Sequence, residues 1–351
     1  MLTEAHQQEQ TMTSRERVFR CLSFDNPDRI PMGLPAPYPN DIVWGGISPD
    51  PDWKPFRTWD VDDGAQWEDE WHNVWRRFAN TTRGEVIEGA LKDWDDLPNY
   101  AFPRFEEQSR YAEARRVFLA DPDRYHLGNL PGFPFAIMRY LRQMEIFLAD
   151  VLLYPDKVLR LQQRVVDMLK KCISEWSDVG ADGVIFAEDW GTQERLLVSP
   201  ALWEKMFRPG YEDIVGYAKT KGVYIWMHSC GYIRDIIPSL RDIGVSVLQL
   251  DQPTLSGIDW LRETVGGKVT IWSPVDIQKI LPTGERDLIR TAAKEMIQTL
   301  GASGGFIAGH YADMPSIMVE SQWQEWANEA FVEFGDLSNA DKARQTHVTA
   351  P

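Results

Sequence analysis

Val223-Tyr224-Ile225-Trp226-Met227-His228-Ser229-Cys230-Gly231 is a short, continuously apolar run that stops on an imidazole, a thiol and a glycine. An apolar run of this length, without alternation, reads as a parallel strand covered on both faces. Side chains two apart on a strand share a face, so His228 and Cys230 bring nitrogen and sulfur near one point. Zinc takes ligands of these two kinds. The competing reading is a buried histidine beside a structural cysteine, since free cysteine packs well as a small core residue.

The same pattern recurs outward from this stretch. Gly183–Ala187 ends on Glu188 and Asp189, and Val247–Leu250 ends on Asp251 and Gln252. Val269–Trp272 ends on Ser273, and Gly305–Ala308 ends on Gly309-His310. Helical stretches separate these strands. Ser199 suits an N-cap with Pro200 at the first helical position, and a second helix spans about Ile233 to Ile243. Upstream, Asp156 to Trp176 carries an amphipathic face, while Arg29–Leu34 and Tyr125–Asn129 are weaker strands. Such alternation implies an α/β protein with a parallel sheet. An eighth strand, sought between Thr82 and Leu91, would complete a (β/α)8 TIM barrel. An open doubly wound sheet is the alternative, and no Gly-rich phosphate loop supports it.

The chain reads as a single barrel domain over residues 12–335. Residues 38–110 break the alternation, are rich in Pro, Asp and Trp, and read as an N-terminal elaboration over one end of the barrel. Within it Trp67, Trp71 and Trp75 recur every four residues, which on a helix makes one stripe and usually means core. Rings reaching the barrel mouth would instead suit an aromatic or methylated cationic substrate. The polar tail, 336–351, reads as disordered.

Composition narrows the function classes. Lys and Arg number 37 against 53 Asp and Glu, a net charge of −16, which argues against a nucleic-acid surface. No apolar run approaches the roughly 18 residues of a membrane span. Met1–Met12 is polar and lacks a signal-peptide core, so the expected location is cytoplasmic. Cys21, Cys172 and Cys230 are widely spaced and odd in number, so no disulfide framework is implied. Cys21 and Cys172 fall in helical patterns and read as packing residues.

In parallel barrels the active site lies at the C-terminal ends of the strands. Here those ends carry Asn129, Glu188, Asp189, His228, Cys230, Asp251, Gln252, Ser273 and His310. His228, Cys230 and His310 are the candidate metal ligands. Glu188 and Asp251 are the candidate catalytic carboxylates, ligating, orienting a ligand or moving a proton. Asn129, Asp189, Gln252 and Ser273 are left to bind substrate. Each has a plainer reading: His310 bonded within its own loop, Asp251 as a turn residue before Pro253, Glu188 and Asp189 as caps. Adjacent acids point to opposite faces of a strand, so only one of that pair faces the pocket.

Met12-Thr-Ser-Arg-Glu-Arg-Val18, followed by Pro27-Asp28-Arg29-Ile30-Pro31, resembles the opening of uroporphyrinogen decarboxylase-like proteins. Asp182-Gly183 through Gly191-Thr192-Gln193, Leu196 to Pro200, His228–Gly231 and Gly304–Ile307 are similar to that family as well. The resemblance spans about residues 12 to 335 and implies a (β/α)8 barrel with one of two chemistries. One is metal-free decarboxylation of porphyrinogen acetates. The other is zinc-dependent methyl transfer, in enzymes related to cobalamin-independent methionine synthase and to corrinoid-dependent coenzyme M methyltransferases.

Porphyrinogen decarboxylases carry an Arg-Gln-Ala-Gly-Arg segment near the N-terminus, where this chain has Met32-Gly33-Leu34-Pro35-Ala36 and no arginine. The methyltransferases' His-x-Cys maps onto His228 and Cys230, but their later cysteine is missing here. His310 lies where it could replace that ligand, and Asp251 and Gln252 lie near the glutamate of the methionine synthase branch. The leading expectation is therefore a zinc-dependent methyltransferase of demethylase type. It would take a methyl group from a small methylated, possibly aromatic, donor to a corrinoid, thiol or folate acceptor. A corrinoid protein would be its partner. The alternative is a metal-free decarboxylase or lyase acting on a smaller acid, with Glu188 or Asp189 moving the proton and His228 assisting. A barrel that merely carries a corrinoid or small ligand is the non-enzymatic reading.

Overall fold

Strands buried on both faces need helices over them, and from residue 125 onward a helix follows each strand. The computed structural model describes residues 12–79, 84–312, 317 and 319–337. In chain order come α1 (Ser14–Leu22) and β1 (Ile42–Gly45), then β2 (Ala65–Glu68), β3 (Val74–Arg77) and β4 (Glu85–Glu88). Next are α2 (Ala112–Ala120), β5 (Tyr125–Asn129), α3 (Pro134–Arg142), α4 (Met144–Leu153), α5 (Pro155–Asp178) and β6 (Gly183–Ala187). α6 (Pro200–Met206), α7 (Arg208–Thr220), β7 (Tyr224–Ser229), α8 (Ile237–Ile243) and β8 (Val247–Leu250) follow. The last elements are α9 (Ile258–Val265), β9 (Thr270–Ser273), α10 (Arg286–Leu300), β10 (Phe306–Ala308) and α11 (Ser321–Phe334).

Seven of these strands form one parallel sheet, ordered β1-β5-β6-β7-β8-β9-β10. The sheet curls, and the segment before β1 lies against its far edge. Ala308 N donates to Pro31 O (2.9 Å), Gly33 N donates to Ala308 O (2.9 Å), and Asp41 N donates to Met32 O (2.7 Å). Met32 makes only an isolated bridge with Ala308, so Arg29–Leu34 is not a strand of the sheet.

The expected eighth strand is corrected. Residues 82–83 lie outside the described residues, and Glu85–Glu88 forms β4 of a separate antiparallel sheet, β2-β3-β4. Its residues alternate between exposed and half-buried, the pattern of a ribbon wet on one face rather than a covered barrel strand. The strand beside β5 is β1 instead, from inside the Trp-rich stretch.

The tryptophan stripe is corrected too. Trp67 and Trp75 are not on a helix but directly opposite each other in the β2–β3 hairpin, with rings stacked 6.0 Å apart. Trp71, in the turn between them, packs on Phe102 and Phe105. Cross-strand aromatic pairs of this kind hold a small ribbon together.

α5 buries Val158, Leu161, Val165, Leu169, Ile173 and Trp176 along one face, as its periodicity predicts. Ser199 caps α6 by accepting from Leu202 N (3.2 Å), with Pro200 at the first position. Cys21 and Cys172 are buried and free.

The two N-terminal stretches that carry the family resemblance tie off the end of the sheet opposite the mouth. Thr13 caps α1. Arg15 meets Asp182, just before β6, through two hydrogen bonds of 2.9 and 2.6 Å. Arg17 bonds Asp28 (2.6 Å) and the fully buried Asp41 (2.9 Å), which also accepts from Arg29 (2.8 Å). A buried carboxylate is tolerated when it is matched in this way.

No helix among the described residues is long and apolar enough to cross a membrane. Residues 1–11 and 338–351 lie outside the described residues, while Asp336 bridges Arg29 and Leu337 N donates to Asp28 O.

Candidate metal centre

Parallel register sets Ala187 beside His228 and His228 beside Gln249, so the ends of β6, β7 and β8 stand at one level. Asp189, His228 and Cys230 meet there, with one ligand atom from each lying within 4.8 Å of the others. Cys230 Sγ is 3.3 Å from His228 Nε2, which is 3.6 Å from Asp189 Oδ1. Donor atoms around a tetrahedral zinc with bonds of about 2.0–2.3 Å lie about 3.3–3.7 Å apart. The set is of the donor types such an ion takes, and the two distances from His228 Nε2 match its donor spacing.

Around this group every polar contact has a direction. Gln249 Nε2 donates to Asp251 Oδ1 (2.7 Å), so the Gln249 carbonyl oxygen faces His228 Nδ1 and takes its N–H. The hydrogen of a neutral His228 is thereby held on Nδ1, leaving a lone pair on Nε2 beside the sulfur. Asp251 Oδ2 lies 3.8 Å from Cys230 Sγ. Cys230 N donates to Asp189 Oδ1 (2.9 Å), and Arg139 of α3 lies 3.8 Å from the other Asp189 oxygen. Gly231 has φ +76, and a Cβ there would stand 2.4 Å from Gly191 O. Only glycine lets the chain double back this tightly after Cys230.

An outer polar contact of this kind typically changes metal affinity ten- to hundredfold. Gln249→Leu should therefore bind zinc about 10–100-fold more weakly with its fold intact, read by competition with a chelating dye. Unchanged affinity would remove Gln249 from the centre.

His228 of this group borders a cavity of about 610 Å³. His228, Gln249 and Asp251 form one side of it, and Asn129, Trp44, Trp272, His310 and Tyr311 stand around the rest. Among the described residues no lysine or arginine lines it.

The strand-end residues divide into three sets. Asp189, His228, Cys230 and Asp251 come together. Asn129 and His310 line the cavity, but His310 is outside the ligand group and its Nδ1 faces Asn328 Nδ2 at 3.3 Å. Glu188, Gln252 and Ser273 are buried and hydrogen-bonded to neighbouring parts of the chain. Gln252 accepts from Gly231 N (3.0 Å) and donates to Gln193 (2.9 Å). The buried Ser273 hydroxyl lies 2.6 Å from Leu250 O. Glu188, one residue past the end of β6, is fully buried. It accepts from Phe135 N and Ala136 N (2.8 Å each), at the start of α3, and from the Tyr211 hydroxyl. Burial pushes its carboxyl up to about 7, against the opposing pull of Tyr211 and those amides.

Two contributors were not legible among the strand ends. Gln249 lies inside β8, and its only signal is a polar residue in an apolar strand two before Asp251. Arg139 comes from a helix and has no motif.

Residues 84–321 match the family model described as uroporphyrinogen decarboxylase (URO-D). The chain belongs to the URO-D family. No curated protein matches it. Among solved structures, a methyltransferase from Methanosarcina mazei is similar with a TM-score of 0.68 and 14% identity, covering 92% of this chain and 99% of that one. At that identity the likeness shows a common fold. An L-ribulose 3-epimerase is similar with a TM-score of 0.43 and 14% identity, over 68% of this chain and 82% of that one.

Proposed function

We propose that this URO-D family member is a zinc-dependent methyltransferase. It would take a methyl group from a small methylated donor to a thiol, corrinoid or folate acceptor. The observation that carries the reading is the Asp189–His228–Cys230 group, whose His228 is oriented by Gln249 and Asp251 and lines the cavity with them. His228, Cys230 and Asp189 would hold the metal. Bound there, zinc would supply a Lewis acid that keeps an acceptor thiol as thiolate or polarises the donor heteroatom.

The remaining steps belong to the chain. Gln249 presents the His228 lone pair, and Asp251 is placed to take the Cys230 thiol proton. Arg139 steadies Asp189 from behind. Trp44 and Trp272 wall the cavity against bulk water. A lining without lysine or arginine among the described residues supports methyl transfer over decarboxylation of a polyacid, which would need cations to hold its carboxylates. With a corrinoid as acceptor, the partner would be a corrinoid protein.

The test is a methyl-transfer assay. Zinc-loaded protein should transfer label from a panel of O-, N- and S-methyl donors to a thiol or cobalamin, and chelation should abolish transfer reversibly. Transfer that survives complete zinc removal would exclude the proposed chemistry.

A further inference from the structure

We propose that Trp75 of the β2–β3 hairpin is a positioning residue of the metal centre, acting through Tyr140 and Arg139 on Asp189. β2 and β3 lie before residue 84, where the match to the family model begins. The inference rests on the Asp189–His228–Cys230 reading, and its test keeps the two claims apart.

The chain of contacts starts in the hairpin turn. Trp75 Nε1 donates to Asp69 Oδ2 (2.6 Å), and Asp69 also accepts from Trp71 N (2.9 Å) and Asn73 N (2.8 Å). The indole is thus tied to the turn, while Trp67 stacks on it from the neighbouring strand. Its ring meets Tyr140 of α3 with centroids 4.9 Å apart. The Tyr140 hydroxyl oxygen accepts from Arg139 Nη2 (3.2 Å). The guanidinium also lies 5.0 Å from the Tyr140 ring and 5.1 Å from the Phe135 ring. A seat between aromatic faces suits a planar, weakly hydrated cation.

This seat, not the carboxylate, sets where Arg139 stands. A guanidinium free to close on a carboxylate does so at about 2.7–2.9 Å, often with two donors. Here Nη2 stops 3.8 Å from Asp189 Oδ2, and the buried Nε has no partner among the described residues. With the Arg139 side chain only 11% exposed, its charge is little screened and acts on Oδ2. Oδ1 is left to accept from Cys230 N (2.9 Å) and to face His228 Nε2 (3.6 Å). Arg139 therefore fixes how the carboxylate is turned, and Trp75 fixes Arg139.

The first readout is zinc affinity of the full-length protein, by competition with a chelating dye. Arg139→Met should weaken binding about tenfold, as loss of an outer polar contact does. Trp75→Leu should weaken it about three- to tenfold. Trp75→Phe, which keeps a ring against Tyr140, should restore most of that loss. In the Arg139→Met background Trp75→Leu should cost nothing further, because residues that act through one another are not additive. A ring that only stabilised the fold would give the same loss in both backgrounds. Tyr140→Leu should repeat the pattern, and it decides the matter if Trp75→Leu does not fold.

The second readout needs no metal. In 15N–1H spectra of zinc-free protein the Arg139 Nε–H signal is assigned by its loss in Arg139→Met. It should be shifted by the neighbouring rings and protected from exchange, and both features should be lost in Trp75→Leu and in Tyr140→Leu. Additive losses in the zinc cycle, or an Arg139 signal indifferent to both substitutions, would overturn the inference. Zinc absent from the wild type, with the Arg139 signal still governed by Trp75 and Tyr140, would defeat the metal reading and leave the hold on Arg139 supported.

Discussion

Cys230→Ser is expected to lose stoichiometric zinc while keeping its fold. The substitution changes one atom, in a residue outside the buried core, so packing is nearly unaffected. What it removes is the sulfur 3.3 Å from His228 Nε2. Structural zinc sites with four ligands bind with about 10–16 kcal/mol, so one ligand accounts for about 3 kcal/mol or more. Affinity should therefore fall by on the order of a hundredfold or more, with methyl transfer falling alongside. Metal analysis after dialysis reads the first effect, and the labelled-methyl assay reads the second. The thermal midpoint should also stop rising on zinc addition, because binding to the folded state alone stabilises it. Full zinc occupancy in Cys230→Ser would remove the cysteine from the centre.

The second large effect concerns Glu188. Its carboxyl, ordinarily near 4.5, is pushed up to about 7 by burial. The folded chain thus holds this proton more tightly than the unfolded chain does. Its contribution to stability is fully present below the ordinary carboxylate range and is lost as pH rises through about 7. A gap of this size corresponds to about 3 kcal/mol between the two limits. Glu188→Gln keeps the shape and cannot ionise, so it should flatten that slope. It also leaves one α3 amide poorly matched, at a cost of about 1 kcal/mol. Urea unfolding of zinc-free protein between pH 5 and 8 checks both, and equal slopes in the two proteins would refute the assignment.

β6 through β10 were legible because each is an apolar run that stops on a polar group, and a covered parallel strand leaves that trace. The meeting of His228 and Cys230 followed from strand period alone. That Asp189 joins them is not legible, because beyond the strand end alternation no longer says where a side chain points. β1 was hidden by its length and by an exposed Trp44. A four-residue tryptophan spacing suits a helix, but Trp67 and Trp75 are also eight apart, which suits a hairpin with Trp71 in its turn. His310 stands at its strand end as the pattern predicts, while the Asn328 amide facing its ring comes from α11, far along the chain.

The arginine clamps near the start of the chain bear on how such a chain can change. Arg15, Arg17 and Arg29 fasten the starts of β6 and β1 by charge, at the face where the strands begin. The Asp189–His228–Cys230 group and the cavity stand at the face where the strands end. Replacing a loop at the mouth therefore breaks none of the contacts that hold the bottom of the sheet. Selection can rework substrate choice there, one side chain at a time, while inheriting the same foundation.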